Sequence, residues 1–513
     1  MCDPEMVPAT VERMSRPTAD APERLRVLMI CAHEPTMDPR IRWEAEGAAR
    51  WFDVTVLGFA NENRPRSDAP DADNYVTVRL GWREVNPLEY ILHLRTIIST
   101  PVQVAIALTL FLSWPLLFVC EIGFRIVRQI GRLITVSLPF RLARSVLDWG
   151  GTRQAIFHRV EFVLQSMRGG FAPAASLFWD YLCNMPDKPH VVHCNDLDTL
   201  LVGVRAKREF GCRVVYDAHE FWPFADAQCR WVDQSFFYLL ERVLIKRVDA
   251  VVSVNPMLSE AIRRTYRLDH VHSVPNVEPW VEQRERSIAS PLAELAKGRV
   301  KFLFQGRFSP ARGIDEIIMA WRYVDGTRAA LFLRGPNNAW KEQATKLAAG
   351  LGLLNKSVFF LDAVSENDLV PAAAEADVGI IPYRPIAINE RLSCPNKLSQ
   401  YLHAGLMVIT NDLPYVRSVV EQAEVGLSYN SADLQTFANV VKRAVHDPEL
   451  LAACRRNALQ FARDDFNWQK HGTLFLKLYR EQFDKLVGGS PTNAGAPPLV
   501  SPGMARKAGS HAA

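Results

Sequence analysis

Short apolar runs that end in polar turns recur along the first half of the chain, and stretches with helical periodicity separate several of them. A short apolar run is typical of a strand that is buried on both faces, as in a parallel sheet. Strands alternating with helices predict a doubly wound α/β lobe. The predicted strands cover residues 26–31, 54–57, 191–193, 214–216 and 250–253, and the predicted helices cover residues 40–51 and 197–210.

The same alternation restarts after residue 300, with apolar runs at 301–304, 330–333, 358–360, 378–381 and 407–409. We therefore expect an α/β fold with two Rossmann-like lobes, separated near residues 276–299, where periodicity is weak. The final residues are rich in Gly, Pro, Ser and Ala, which is typical of disorder. The expected divisions are a first lobe at 24–290, a second lobe at 300–460, C-terminal helices at 461–486 and a disordered tail at 487–513.

One region departs from this alternation, because no Asp, Glu, Lys or Arg occurs from Thr96 to Cys120. About 20 apolar residues suffice to cross a bilayer. However, predicted strands of one sheet lie on both sides of the run, and a single crossing would put them in different compartments. Arginines at helical spacing then follow, as in an interfacial helix. We expect a hydrophobic helical insertion at 87–150 that associates with a membrane; burial within protein or an oligomer contact is the alternative.

Charge and cysteine content narrow the classes of function. The chain carries 60 basic and 56 acidic residues, for a formal net charge of +4, which argues against bulk binding to nucleic acid. Its nine cysteines include no CxxC pair and no zinc-like Cys/His spacing. Residues 1–23 lack the apolar core of a signal peptide. We expect reduced thiols and a cytoplasmic protein.

Two segments of the second lobe are candidates for binding an anion. Gly306 and Arg307 directly follow a predicted strand, and Arg312 precedes a predicted helix. Guanidinium groups beside a helix N-terminus suit a diphosphate, although a solvated basic turn has the same sequence. Further on, Pro395 can occupy the first position of a helix, which would place Lys397 in the first turn. A lysine there opposes the helix dipole, so an anionic ligand explains it better than packing does.

In the first lobe, His219 and Glu220 lie just beyond a predicted strand, where ligands bind in sheets of this kind. A histidine can act on a hydroxyl near neutral pH, and a polar capping turn is the alternative. Asp196 follows another strand and has the position of a helix N-cap. Asp38, before Pro39, can be a cap in the same way.

Taken together, these residues resemble glycosyltransferase family four, a retaining family with the two-lobed GT-B fold, over roughly residues 24–479. The resemblance rests on Arg307 with Arg312 five residues later, on Pro-Asn-Lys at 395–397, and on Tyr-Asp-x-His-Glu-x-x-Pro at 216–223. It implies a nucleotide-sugar donor as substrate, no cofactor and no metal. The donor-binding residues that it implies are Gly306, Arg307, Arg312, Asn396, Lys397 and Gln400.

The sequence departs from the family pattern at two places. The paired glutamates of the family are Leu392 and Gln400 here, with Glu390 two residues from the first. The His-x-His-Asp stretch has Asn195 in place of its second histidine. We therefore assign the catalytic role to His219 and Glu220. The residues expected on the acceptor side are Asp38, Arg40, Asn195 and Asp196.

The expected reaction is transfer of a sugar from a nucleotide diphosphate sugar to a hydroxyl group, with retention at the anomeric carbon. The insertion suggests a lipid-linked acceptor in polysaccharide or glycolipid assembly, with the protein peripheral on the inner face of the membrane. Gln400 favours an alternative, a non-catalytic relative that binds a nucleotide sugar or scaffolds a membrane complex. A Rossmann oxidoreductase is disfavoured, because residues 32–37 contain no GxGxxG after the first strand.

Overall fold

The computed structural model describes residues 24–61, 67–68, 75–85, 87–95, 167–225, 231–282 and 291–487. Most of the insertion expected at 87–150 lies outside these residues, as does the tail expected at the C-terminus, apart from residue 487. No helix of the described part of the chain is both long enough and apolar enough to cross a membrane.

The first lobe is built on an eight-stranded sheet in the order β3-β4-β2-β1-β5-β6-β7-β8. Every neighbouring pair is parallel except β3 with β4. The strands are β1 Arg26–Ile30, β2 Asp53–Phe59, β3 Ser67–Asp68, β4 Val76–Leu80, β5 Val191–Asn195, β6 Arg213–Ala218, β7 Ala250–Ser253 and β8 His272–Ser273.

Helices cover this sheet, and π-helical turns at Met167–Phe171 and Ala174–Phe178 precede the third of them. The helices of the first lobe are α1 Pro39–Ala49, α2 Pro87–Arg95, α3 Trp179–Asn184, α4 Leu197–Phe210, α5 Trp231–Ile245 and α6 Pro256–Tyr266. Short 3-10 turns occur at Pro35–Met37 and Trp222–Phe224.

The second lobe has a six-stranded, fully parallel sheet in the order β11-β10-β9-β12-β13-β14. Its strands are β9 Val300–Gln305, β10 Ala329–Arg334, β11 Val358–Leu361, β12 Val378–Ile381, β13 Met407–Thr410 and β14 Gly426–Ser428. Its helices are α7 Leu292–Ala296, α8 Ile314–Trp321, α9 Ala339–Gly350, α10 Leu369–Ala373, α11 Ile388–Arg391, α12 Asn396–His403, α13 Pro414–Gln422, α14 Leu434–His446 and α15 Pro448–Asp464.

The two predicted α/β lobes are confirmed, and the reason lies in the burial of their strands. Strands β5 and β10 are buried along their whole length, as expected for strands covered on both faces. Strand β4, Val-Thr-Val-Arg-Leu, escaped prediction. Its two buried residues are the polar Thr77 and Arg79, which interrupt the apolar residues of the strand, so the chain there has no continuous apolar run.

The chain returns to the first lobe at its C-terminal end through α16, Trp468–His471, and α17, Thr473–Val487. Helix α17 packs against α1, β5 and β6. The ring of Trp468 lies 6.0 Å from that of Trp43 on α1, measured between ring centroids. The hydroxyl of Tyr479 is 2.6 Å from Nδ1 of the buried His193. These contacts tie the C-terminal end of the chain to the first lobe, beside the linker residue Glu278, whose carbonyl accepts the N–H of Trp468 at 3.1 Å.

Candidate active site

The lobes also meet through the residues around α11 and the start of α12. The backbone N–H of Phe221 donates to Oδ1 of Asn389 at 3.1 Å. The side chain of Asn276 donates to the carbonyl of Cys394 at 3.2 Å, and the N–H of Glu278 donates to the hydroxyl of Ser399 at 2.6 Å. These contacts place the loop after β6 opposite the N-terminus of α12, so both sets of candidate residues face one cleft.

Lys397 is a buried cation on the second-lobe side of this cleft. Its ammonium group donates to the hydroxyl of Tyr383 at 3.0 Å and lies 5.2 Å from the centre of the Phe304 ring. Burial lowers the pKa of Lys397, and Arg312 acts in the same direction. The pKa of Tyr383 is also lowered, because Arg312 and Lys397 outweigh the effect of burial.

Arg312 adjoins Lys397 at the Tyr383 ring, and Arg307 follows Gly306 in the chain. The guanidinium of Arg312 lies 4.0 Å from the centre of the Tyr383 ring, while Arg307 is exposed. Within the described part of the chain, neither Arg307, Arg312 nor Lys397 forms an ion pair with a carboxylate. Positive groups that lack anionic partners at a helix N-terminus are suited to a bound diphosphate.

Gly306 makes room for this arrangement. Its φ of +134° is one that other residues rarely adopt. A Cβ at this position would lie 2.4 Å from the ammonium nitrogen of Lys397. The chain at the end of β9 therefore runs directly beside the buried amine of Lys397.

The helix that bears Lys397 begins one residue later than the sequence predicted. Pro395 lies at the N-cap with an extended backbone, and α12 begins at Asn396. The N–H groups of the first helical turn have no acceptor within the helix. A proline, which lacks an N–H, therefore fits just before the helix as well as in its first turn. Lys397 remains in the first turn, and Asn396 is half-buried beside it.

Gln400 points into the second lobe. It is 5% exposed, and its Oε1 accepts a hydrogen bond from the side chain of Gln305 at 3.2 Å. Gln305 also donates to the carbonyl of Leu369 at 3.0 Å. Gln400 thus lies about one turn after Lys397 on the same helix. It belongs to a buried group of polar side chains with Gln305 and Arg334, of which Arg334 is the charged one.

His219 is enclosed by carboxylates on the first-lobe side. Its Nδ1 lies 3.0 Å from Asp38 and its Nε2 lies 3.2 Å from Asp217. Although burial opposes the charge, Asp196 and Asp217 raise the pKa of His219 well above its usual range. A ring with a carboxylate at each nitrogen is held as an imidazolium, and this geometry makes it a fixed cation rather than an acceptor of a substrate proton.

Asp196 does not cap the helix that follows it, contrary to the alternative raised by the sequence. It lies at the N-cap position of α4, but its side chain makes no capping hydrogen bond. Instead, its Oδ1 accepts the backbone N–H of His219 at 3.1 Å. Its backbone has φ 63° and ψ 170°, a region that is essentially restricted to glycine. Strain of this kind is concentrated at functional sites.

Asp38 lies between the start of α1 and His219. It caps α1, accepting the N–H of Arg40 at 3.0 Å, and it contacts His219. Arg40 itself is 1% exposed, and its guanidinium is bidentate to Asp217 at 2.7 and 3.1 Å. Asn195 is also buried and donates to the carbonyl of Ile30 at 3.2 Å. Arg40 and Asn195 therefore support the cleft from beneath instead of lining it.

Three buried side chains beneath His219 have the composition of a metal site. One ligand atom each from Glu44, His193 and Asp217 lies within 4.8 Å of the others. The guanidinium of Arg40 already occupies this place, however, since it contacts both Glu44 and Asp217. Burial raises the pKa of Glu44 and lowers that of His193 to about 4, so the His193 ring is neutral near pH 7. One arginine thus supplies the positive charge that a metal would otherwise bring.

Glu220 is the candidate acid–base group that faces the cleft. The residue is exposed to water, yet the surrounding protein raises its pKa to about 7. Asp196 and Glu390 add to this shift, while His219 and Arg312 oppose it. Since Glu390 and Arg312 belong to the second lobe, Glu220 lies at the point where the lobes meet. A carboxyl group with a pKa near 7 can exchange protons at physiological pH.

Two parallel-sheet lobes that meet around a cationic pocket define a two-lobed glycosyltransferase. The sequence model of the family described as "Glycosyl transferases group 1" matches residues 289–461, and that of "Glycosyltransferase Family 4" matches residues 132–277. Together they cover more than half of the chain. The chain belongs to glycosyltransferase family four, which confirms the resemblance seen in the sequence.

Individual relatives are distant in sequence but similar in fold. Alpha-maltose-1-phosphate synthase of Mycolicibacterium smegmatis is 23% identical over 340 residues, which are 62% of this chain and 85% of that protein. Sucrose-phosphate synthase of Thermosynechococcus elongatus superposes with a TM-score of 0.59 at 15% identity, covering 90% of this chain and all of that one. Anabaena HepE in complex with UDP superposes with a TM-score of 0.55 at 13% identity, covering 89% of this chain and all of that one.

Proposed function

We propose that this glycosyltransferase transfers a sugar from a nucleotide diphosphate sugar to a hydroxyl group, with retention at the anomeric carbon. The observation that carries the proposal is the group of cations at the N-terminus of α12, which has no carboxylate partner among the described residues. A diphosphate supplies the missing negative charge. The complex of HepE with UDP supports a nucleotide donor for a protein of this fold.

The chemistry follows from the charges on the two sides of the cleft. The bond between the anomeric carbon and the diphosphate oxygen breaks, and its electron pair leaves with the diphosphate. Lys397, Arg307 and Arg312 stabilise that developing charge, so the proposal requires no metal ion. The acceptor oxygen bonds to the anomeric carbon on the face from which the diphosphate departs. Its proton passes to Glu220, whose pKa suits a general base.

His219 has a different role in this proposal. Its imidazolium, fixed by Asp38 and Asp217, lies beside Glu220 and donates no proton during the reaction. Its charge favours the ionised form of Glu220 and so opposes the rise in the pKa of Glu220 that the surrounding protein causes. This arrangement keeps a usable fraction of Glu220 ionised near neutral pH.

The acceptor that we propose is lipid-linked, as in polysaccharide or glycolipid assembly. The support is the uncharged run from Thr96 to Cys120, which is followed by Arg125, Arg128 and Arg132. An apolar run beside basic residues favours the anionic inner face of a membrane. The protein would then act as a peripheral enzyme on the cytoplasmic side.

Donor turnover tests the proposal. The purified full-length chain is incubated with UDP-, GDP- and ADP-sugars, with and without extracted membrane lipids, and the nucleoside diphosphate released is measured. We expect release from one donor class, stimulated by lipid, with labelled sugar recovered in the organic phase in the α configuration from an α-linked donor. Binding of a donor without release would instead favour the non-catalytic alternative, for which Gln400 is the main argument.

A further inference from the structure

Arg334, the last residue of β10, is a buried cation with few partners. It is 4% exposed, and the one described hydrogen bond of its side chain is a long contact of 3.4 Å from Nη1 to Oε1 of Gln305. Among the described residues it forms no ion pair. Burial lowers the pKa of Arg334, with Tyr401 and Glu375 too weakly placed to restore it. A buried charge without a counter-ion is unfavourable, so a bound ligand explains this residue better than packing does.

The position of Arg334 is next to the proposed diphosphate site. Its carbonyl accepts the N–H of Gly306 at 2.8 Å, and a Cβ on Gly335 would lie 2.1 Å from the carbonyl oxygen of Gly306. The two glycines let the ends of β9 and β10 approach closely at the carboxyl edge of the sheet. Ligands bind at this edge in α/β folds.

Helix α12 connects the position of Lys397 with that of Arg334. Gln400 follows Lys397 by three residues, or about 4.5 Å along a helix axis. Gln400 contacts Gln305, which contacts Arg334. The nucleoside of the donor is attached to its diphosphate. A donor whose diphosphate lies at Lys397 can therefore extend its nucleoside along α12 towards Arg334. Because residue 400 is a neutral amide, the protein itself does not neutralise the guanidinium at this point.

We infer that Arg334 binds the base of the donor nucleotide and selects bases that carry carbonyl oxygens. A guanidinium has five N–H donors and no acceptor, so it matches uracil or guanine and discriminates against the amino edge of adenine. The inference rests on the proposed function, which requires a nucleotide donor but does not say which one.

Calorimetric titration of the full-length chain tests the inference with four probes: UDP, GDP, ADP and inorganic pyrophosphate. The parent should bind UDP or GDP at least ten times more tightly than ADP. Arg334→Met should lose about tenfold or more for the preferred nucleotide and bring its affinity close to that for ADP, while the affinity for pyrophosphate stays the same. Arg334→Lys, which keeps the charge but not the planar donors, should behave like Arg334→Met. The matched control is Arg480→Met, at an exposed arginine of α17.

Several outcomes would overturn the inference while leaving the proposed function intact. These are a parent preference for ADP, equal losses for nucleotide and pyrophosphate, or nucleotide binding by both Arg334 variants at the parent level. Arg334→Met should also melt no lower than the parent, since it removes a buried charge that has no counter-ion. If it fails to fold, Arg334→Lys decides. A parent that binds none of the four probes contradicts the proposed function and the inference with it.

Discussion

At the scale of single residues, cations are in excess on the second-lobe side of the cleft, and carboxylates surround His219 on the first-lobe side. Arg307, Arg312 and Lys397 carry positive charge without carboxylate partners in the described structure, while Asp38 and Asp217 enclose His219 on the opposite side. Charges that a protein does not neutralise by itself mark the place where a ligand completes the balance. The three cations are suited to a leaving diphosphate. The two carboxylates hold His219 in place beside Glu220.

Arg307 provides the simplest test of the diphosphate site, because it is exposed and its loss should not disturb folding. We expect Arg307→Ala to lose a charge-assisted contact of about 1.5–3 kcal/mol, or roughly 10- to 150-fold in donor affinity. Titration calorimetry with the nucleotide sugar measures the change, with Arg480→Ala as the control. Equal affinities for parent and Arg307→Ala would remove this residue from the site.

Glu220 should control the pH dependence of the reaction. Since its pKa is raised to about 7, the ionised base is lost as the pH falls through 7, and kcat/KM should fall with it. Glu220→Gln should abolish most activity, and the remaining kcat/KM should no longer fall at acidic pH. Glu390→Gln removes a negative neighbour that raises the pKa of Glu220, so the fall in kcat/KM should occur at lower pH. A profile that is flat from pH 5.5 to 8.5 in the parent would exclude Glu220 as the base.

Motif and position name the candidate residues around the cleft but do not predict their environment. Lys397 and Arg307 follow from motif and position, because both adjoin a predicted strand or helix end. The burial of Arg40 was not predictable, since its partner Asp217 is 177 positions away and only the parallel register of the sheet brings them together. Arg334 did give a signal, as a single charge that ends an apolar strand before a glycine.

At the scale of elements, two helices position the chemistry. The first turn of α12 presents Lys397, and the Cβ-free residue Gly306 lets β9 pass below it. Helix α17 supports the first lobe from behind through Tyr479 and His193. Elements from both ends of the chain therefore stabilise the buried group that underlies His219.

The contact between Tyr479 and His193 should contribute measurably to stability. Both side chains are fully buried, and their hydrogen bond is 2.6 Å long. Tyr479→Phe would leave the ring nitrogen of His193 without its partner, at a cost of about 1–3 kcal/mol. Urea unfolding should show this loss, while Tyr323→Phe, at a tyrosine that is 51% exposed, should stay within about 0.5 kcal/mol of the parent. Equal unfolding free energies for Tyr479→Phe and the parent would show that α17 is held by packing alone.

Elements were predictable where burial is continuous and less so elsewhere. The apolar runs at β9, β10, β12 and β13 became strands close to their predicted bounds. Short edge strands such as β8 and β14 escaped, because two or three residues give no periodic signal. The start of α12 was displaced by one residue, since a proline is compatible with either side of a helix boundary.

At the scale of the whole molecule, two lobes meet at a cleft, and the sequence predicts a hydrophobic insertion in the first lobe. The order of strands and the matches of both family models support the two-lobed architecture. The membrane role rests on sequence alone, as residues 96–166 lie outside the described structure. It is therefore a separate prediction from the chemistry of the cleft.

We expect the full-length protein to float with vesicles that contain anionic lipid, and to do so less with neutral vesicles. Each arginine near the surface should add about 1 kcal/mol on anionic lipid, so salt should weaken binding without abolishing it. Replacing Arg125, Arg128 and Arg132 together by Gln should reduce flotation on anionic vesicles more than on neutral ones. A parent that stays soluble without detergent and ignores both kinds of vesicle would make a soluble acceptor the better hypothesis.

The most direct test of the central claim is the thermal stability of the parent and of Lys397→Met in the presence of UDP-, GDP- and ADP-sugars. A donor at 100 times its dissociation constant adds about 2.7 kcal/mol to the free energy of unfolding. We predict that one donor class raises the melting temperature of the parent and of Lys346→Met, a control at an exposed lysine of α9, but raises that of Lys397→Met much less. If no nucleotide sugar stabilises the parent, or if one stabilises the folded Lys397→Met protein equally, the account of this cleft as a nucleotide-sugar site is contradicted.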